Sequence, residues 1–311
     1  MIFHDSGLAA AFERDGFVVV DLLSRQDLRL LKWAWRQLDD GVVKGLPFSV
    51  TSMSALHEYR WRVDRAVRAV IKERLSNVLV GYRVLVGLFV NKAAGVRRHV
   101  MDLHQDWTFV EEPRYQSIGL WCPLVDVHKR NGCLEVVPGS HRLSDNPRVV
   151  HGTRRLFSYA RFMPLLARKR QTVPMTAGQA ILYSHGLFHG SGPNMTDCER
   201  PIAGAVLIPH RAAPQVYIED QRAPRFINVH RVDSAFLVGY HEAERMNPGR
   251  PMARIAYPSG LSRREHFRPV LECGAVGENA LSSTSLPSRQ LPRRKRSVGS
   301  TSGERIAGQN R

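Results

Sequence analysis

Histidine 104 and aspartate 106, in "HQD" at 104–106, set an imidazole and a carboxylate two residues apart in this 311-residue chain. On an extended strand, residues i and i+2 point to the same face. One more neutral imidazole would complete a set of two nitrogens and one carboxylate oxygen. That donor set holds Fe(II) and leaves coordination positions open. Alone the pair is a weak signal, because an H-x-D is more often a surface or outer-sphere feature than a metal site. The stretch "FHGSGPNMTDCER" (188–200) gives it weight. His189 follows a strand-like run, and Arg200 comes eleven residues later, across a turn of Gly190, Gly192, Pro193 and Asn194. In an antiparallel hairpin that spacing sets the guanidinium beside the metal, one cosubstrate length away. Its planar fork suits bidentate capture of a carboxylate. Ser191, two residues after His189, would face the same cavity and add a hydroxyl donor. Together these residues fit a site for Fe(II) and 2-oxoglutarate. His185 competes with His189 as the distal ligand, but it lacks the following Gly-Ser and the offset to Arg200. His99, His128 and His141 read as turn, surface or structural residues.

The elements that must position these groups change character along the chain. The first 80 residues read as mostly helical. "SRQDLRLLKWAWRQL" offers Ser24 as N-cap with Asp27 three residues on, and Leu28, Leu31, Trp35 and Leu38 keep one face apolar. Val63, Ala66, Val67, Val70, Ile71 and Leu75 repeat at helical spacing. From Gly81 the pattern turns to short β-rich runs at 82–91, 117–127, 132–139, 179–185 and 203–210, bounded by Gly, Pro, Asn or Asp. Many short strands with little helix between them predict a mainly β fold with flanking helices, an antiparallel sandwich or jelly roll. Within 141–172, "RRLFSYARFMPLLARKR" predicts a helical or lid-like insertion. The expected organisation is one domain over 1–276, with a helical part to about 80, a jelly-roll core over 81–215 and an extension over 216–276. Residues 277–311, rich in Ser, Pro, Gly and Arg, predict a disordered basic tail.

Composition bounds the function. The formal net charge is +17. The tail carries seven Lys/Arg against two Asp/Glu, hence +5, and the rest is spread along the chain. Aromatic residues do not interleave with the basic ones as a single-strand nucleic-acid platform requires, so nucleic acid is not an expected partner. No run of about 18 apolar residues predicts a membrane span. Asp5 and Glu13 interrupt the apolar stretch a signal peptide would need. Four scattered cysteines without a C-x-x-C pair then read as reduced thiols in a cytoplasm. The expected partner is a small molecule, and the oligomeric state is left open.

These motifs carry a family resemblance. "ERDGFVVVDLLS" (13–24), "FVNKAAG" (89–95), "LHQDWTF" (103–109), "LWCPLVDV" (120–127), "NGCLEVVPGSHR" (131–142), "AGQAILYSHGLFHGSGPN" (177–194) and Arg200 resemble the phytanoyl-CoA dioxygenase family in order and spacing, from Glu13 to Pro209. The resemblance implies a double-stranded β-helix, a cupin-like jelly roll with flanking helices. It implies that His104, Asp106 and His189 hold Fe(II), and that Arg200 and Ser191 bind the distal carboxylate of 2-oxoglutarate. Asn91, Trp121 and Leu88 match family positions that contact or wall the cosubstrate. The implied reaction uses O2 and 2-oxoglutarate to hydroxylate an unactivated C–H bond of a secondary metabolite or acyl-type substrate, releasing succinate and CO2. Related halogenases carry a small residue at the place of Asp106, so its carboxylate argues against halogenation. The rival reading is a metal-holding jelly roll without oxygenase activity, an isomerase or binding module, which would have no need of Arg200 or Ser191.

Overall fold

The computed structural model describes residues 1–97, 100–112, 114–143, 146–150, 159, 162–223, 225–240 and 248–256. The chain divides into two units, Met1–Val276 and Gly277–Arg311, and all described residues belong to the first. The basic tail expected to be disordered, and much of the insertion expected over 141–172, lie outside the described residues.

Local chemistry sets the element boundaries. Helix α1 (Ser6–Asp15) starts at Asp5, whose side chain accepts from Leu8 N, and stops at Gly16, whose φ of 84° ends the helical path. The stiff, apolar "FVVV" that follows then forms strand β1 (Phe17–Asp21). Helix α2 (Arg25–Gln37) opens with the expected capping box, Ser24 and Asp27 each satisfying the other's backbone N–H. Asp27 also takes Arg74 Nε at 2.8 Å, tying α2 to the long helix α3 (His57–Leu75). The first 80 residues, expected to be mostly helical, carry α1, α2 and α3 and also two strands. β1 and β2 (Phe48–Val50) both enter the largest sheet, because each is a short apolar run freed by a preceding helix stop or turn.

The remaining elements are β3 (Tyr82–Lys92), β4 (Met101–His104), β5 (Ile118–Pro123), β6 (Leu134–Val136), α4 (Met163–Arg168), β7 (Gln171–Val173), β8 (Gln179–Ser184), β9 (His189–Ser191), β10 (Arg200–Pro209), β11 (Gln215–Glu219), β12 (Phe226–Arg231), α5 (Ser234–Gly239) and β13 (Ala253–Ala256). A six-stranded sheet runs β1-β8-β5-β10-β3-β2, a four-stranded sheet β4-β9-β6-β7, and a small third sheet β11-β12-β13. All these pairings are antiparallel. This is the expected mainly β architecture with flanking helices.

Side-chain alternation splits the core into two layers. Phe89, Leu120, Cys122, Leu182 and Ala203 of the large sheet pack outward with Leu31, Trp35, Val63 and Val67 of α2 and α3. Their strand neighbours Val90, Trp121, Ile181, Tyr183 and Ile202 point inward and meet Leu134, Val136 and Val173 of the four-stranded sheet. Hence these strands are apolar on both faces. Among the described residues no helix is long and apolar enough to cross a membrane.

Candidate metal centre

His104 ends β4 and His189 begins β9, and the two are directly opposed partners in that antiparallel pair. Their ring centroids lie 4.3 Å apart. Gly190 makes this approach possible, since a Cβ there would come within 2.5 Å of the Met101 carbonyl oxygen. Asp106 lies just past the end of β4, in a loop rather than on the strand. Its N–H donates to the His185 carbonyl (3.1 Å), and its own carbonyl accepts from Arg148 Nε (2.7 Å). Gln105 turns the other way and donates to the Gly186 carbonyl at 2.5 Å. Asp106 Oδ1 is therefore brought to 3.9 Å from His104 Nε2 and 3.8 Å from His189 Nε2. One ligand atom from each of the three residues falls within 4.8 Å of the others.

The tautomers are set from behind. His104 Nδ1 lies 2.8 Å from the Asp102 carbonyl and His189 Nδ1 lies 3.0 Å from the Leu187 carbonyl. A carbonyl accepts only, so each Nδ1 carries the proton and each Nε2 lone pair faces the cluster. Burial lowers the His189 pKa to about 4, keeping the ring neutral. Burial would raise the Asp106 pKa, but His189, His185, His104 and the Tyr183 hydroxyl outweigh it and hold the carboxyl at about 2. Two imidazole nitrogens and one carboxylate oxygen gathered within 4.8 Å of one another suit a divalent first-row metal.

His189 and Arg200 are not arms of one hairpin, contrary to the expectation from their spacing. Both edges of β9 are taken, by β4 and β6, and β10 pairs with β3 and β5. Residues 192–199 carry the chain from one sheet to the other, so Arg200 starts a strand of the sheet that faces the histidines. Its side chain is 1% exposed, and Nε and Nη1 have no hydrogen-bond partner. Burial lowers its pKa to about 10, which leaves it cationic. Its guanidinium carbon lies 5.2 Å from the Trp121 ring. Strand register puts Trp121 and Leu88 opposite Gly204, on the same face as Arg200, and Leu88 covers the space a Gly204 side chain would fill. Ser191 is buried two residues past His189, on the same face of β9.

Asn91 does not join this group. It is opposite Pro201, one residue out of phase with Arg200, and its Nδ2 donates to Glu199 Oε2 (3.1 Å) on the helix-covered side. The inward residue is its neighbour Lys92, the cross-strand partner of Arg200, buried and donating to the carbonyls of Ser191 (2.9 Å) and Gly192. Sequence reading missed Lys92. Counting alternation back from Arg200 would have found it, had the pairing of β3 with β10 been known. His185, the rejected rival, is buried on the far side of the carboxylate, its Nε2 3.9 Å from Asp106 Oδ2. Tyr183, also missed, donates its hydroxyl to the same Oδ2 at 2.9 Å.

A jelly roll carrying a His-Asp-His cluster and a buried arginine on the facing sheet defines a class of metal-binding β-proteins. Residues 48–202, about half of the chain, match the family model "Phytanoyl-CoA dioxygenase (PhyH)", and that span contains every residue of the cluster as well as Ser191, Lys92 and Arg200. The chain belongs to the phytanoyl-CoA dioxygenase family. It is 27% identical over 161 residues to phytanoyl-CoA dioxygenase domain-containing protein 1 of Danio rerio, covering 48% of this chain and 53% of that one. It is 30% identical over 125 residues to phytanoyl-CoA dioxygenase of Arabidopsis thaliana, covering 39% and 44%. The chain thus spans about half the length of the curated relatives it matches. Among solved structures, the non-heme alpha ketoglutarate dependent carbocyclase SnoK from nogalamycin biosynthesis superposes with a TM-score of 0.51 at 20% identity, covering 82% of this chain and 95% of that one. That likeness is one of fold.

Proposed function

We propose that this protein is an Fe(II)- and 2-oxoglutarate-dependent dioxygenase that hydroxylates an unactivated C–H bond of a small molecule, a secondary metabolite or an acyl-type substrate. His104, Asp106 and His189 would hold the metal. Arg200, with Ser191, would take the distal carboxylate of 2-oxoglutarate, and Trp121 and Leu88 would wall it. When bound, Fe(II) with 2-oxoglutarate and O2 supplies the oxidising chemistry, with succinate and CO2 as the co-products. The protein's own part is to ligate, orient and exclude water. The Nδ1–H bonds of the two histidines aim their Nε2 atoms, and the two-sheet interior around Trp121, Ile181 and Ile202 keeps the cosubstrate end dry.

The observation that carries this reading is the buried Arg200 guanidinium, two of whose nitrogens lack a partner. No ion pair to it exists among the described residues, and a buried, uncompensated cation is costly. A jelly roll that only stored a metal would have no use for it. An anion of dicarboxylate size removes the cost. Succinate release on adding Fe(II) and 2-oxoglutarate to the metal-free protein, with or without a substrate, tests the reading. Absence of both succinate release and 2-oxoglutarate binding would defeat it.

A further inference from the structure

The polar atoms of Asp106 divide their partners unequally. Its N–H is taken by the His185 carbonyl, its carbonyl oxygen by Arg148 Nε, and its Oδ2 by the Tyr183 hydroxyl at 2.9 Å. Among the described residues none donates a hydrogen bond to Oδ1, and Oδ1 is the oxygen that faces His104 Nε2 and His189 Nε2. A carboxylate can bind a metal through one oxygen or both. Binding through both would consume a position that a chelating cosubstrate or O2 needs. Tyr183 occupies the second oxygen.

Tyr183 reaches that oxygen because of the residue beside it. It is the cross-strand partner of Gly119 in the pairing of β5 with β8. A Cβ on Gly119 would lie 2.3 Å from Tyr183 Cζ and 2.6 Å from its hydroxyl oxygen, so the phenol lies across the space left by the missing side chain. The ring also sits 4.6 Å from that of His189, centroid to centroid. Glycine and tyrosine together aim the hydroxyl inward, through a core layer that is otherwise largely apolar.

We propose that Tyr183 is a positioning residue that confines Asp106 to one-oxygen ligation, and that Gly119 is there to admit it. This rests on the metal-site reading above. Outer partners of metal ligands typically change metal affinity about 10- to 100-fold when removed. The test uses Co(II) alone, added to the metal-free full-length protein, with affinity measured by calorimetry and geometry by the visible absorption of the Co(II) complex. Tyr183→Phe keeps the ring and its packing, and should weaken Co(II) about 10-fold or more and change the band positions or intensities. Gly119→Ala keeps the hydroxyl but displaces the ring, and should shift both readouts in the same direction. Thermal melting of the metal-free variants monitors folding. A merely structural tyrosine would move the melting temperature without moving the Co(II) spectrum, and that result would overturn the proposal. So would unchanged affinity and spectrum in Tyr183→Phe. A wild type that takes no Co(II) overturns both this proposal and the function proposed above. A wild type that takes Co(II) but no 2-oxoglutarate defeats only the cosubstrate reading, and Tyr183 is still judged on Co(II).

Discussion

Lys92 and Arg200 are cross-strand partners on β3 and β10, both 1% exposed, and both point to the inner side of the six-stranded sheet. Positive charge on both would repel, and Arg200 has no ion-pair partner among the described residues. Burial, followed by the charge of Arg200, lowers the Lys92 pKa to about 7. The carbonyls of Ser191 and Gly192 offset part of the cost by accepting from Lys92 Nζ. The same bonds tie the inner face of β3 to the strand that carries His189 and Ser191. An anion arriving at Arg200 would therefore meet a second donor already fixed to the turn, and its charge would favour the protonated form of Lys92.

Comparison of Lys92 with Asn91 separates the two faces of β3. Lys92→Gln should raise the KM for 2-oxoglutarate by about tenfold, the equivalent of about 1.4 kcal/mol. Asn91→Ala should leave that KM nearly unchanged. It should lower the melting temperature instead, because Glu199 then keeps, among the described residues, only the Trp35 Nε1 donor (2.9 Å), a loss of about 1 kcal/mol. Initial-rate titrations and thermal melts on both variants check this. A KM effect from Asn91 and none from Lys92 would reverse the faces.

Acid should destabilise the metal-free protein in a defined window. Burial lowers the pKa values of His141, His185 and His189 to about 4, from an ordinary value of 6.5. Between those limits the unfolded chain binds protons that the folded one does not, so stability falls as pH drops from 6.5 toward 4. Each histidine contributes on the order of 3 kcal/mol across the window. His141 lies away from the cluster, with Nε2 3.1 Å from the Glu13 carbonyl. His141→Gln should flatten the slope of melting temperature against pH by about a third while leaving metal affinity alone. A slope unchanged by that substitution would assign the acid sensitivity to other groups.

Much of the candidate site was legible in sequence because its logic is local. H-x-D needs only two residues of separation, and His189, Ser191 and Arg200 fall within twelve residues. The capping box at Ser24 and the helical stripe of α3 were legible for the same reason. Sheet membership was not. Spacing alone could not show that the chain changes sheets between Ser191 and Arg200, so a hairpin was expected where a crossover stands. Nor could it fix the phase of β3 against β10, which decides whether Asn91 or Lys92 faces inward. Tyr183 was hidden because a strand tyrosine reads as core until its partner is known to be Gly119.

The assignment of the distal ligand is tested by two alanines. His189→Ala should abolish turnover and lower Co(II) affinity sharply, as should His104→Ala and Asp106→Ala, since each removes one of three protein ligands. His185→Ala removes a ring that approaches Asp106 Oδ2 no closer than 3.9 Å. It should retain measurable metal binding and turnover. Full activity in His189→Ala with loss in His185→Ala would exchange their roles.

The function proposed here depends most on Arg200. Its Nε and Nη1 are buried without partners, so a carboxylate arriving there would find vacant donors in a dry setting. Charge-assisted hydrogen bonds of this kind contribute about 1.5–3 kcal/mol, or about tenfold to a hundredfold in affinity. Arg200→Lys keeps the charge but loses the planar fork, so the KM for 2-oxoglutarate should rise within that range. Co(II) affinity should barely change, because Arg200 starts a strand of the opposite sheet and none of the cluster's hydrogen bonds involve it. Arg200→Ala should be worse for 2-oxoglutarate than Arg200→Lys, since the carboxylate then loses its charged partner as well as the fork. The metal-free Arg200→Ala protein should melt no lower than wild type, because the removed cation was buried and uncompensated. Isothermal titration of Co(II)-loaded protein with 2-oxoglutarate reads the first effect and differential scanning calorimetry the second. If Arg200→Ala binds 2-oxoglutarate as the wild type does, the carboxylate lies elsewhere and this pocket is not its site.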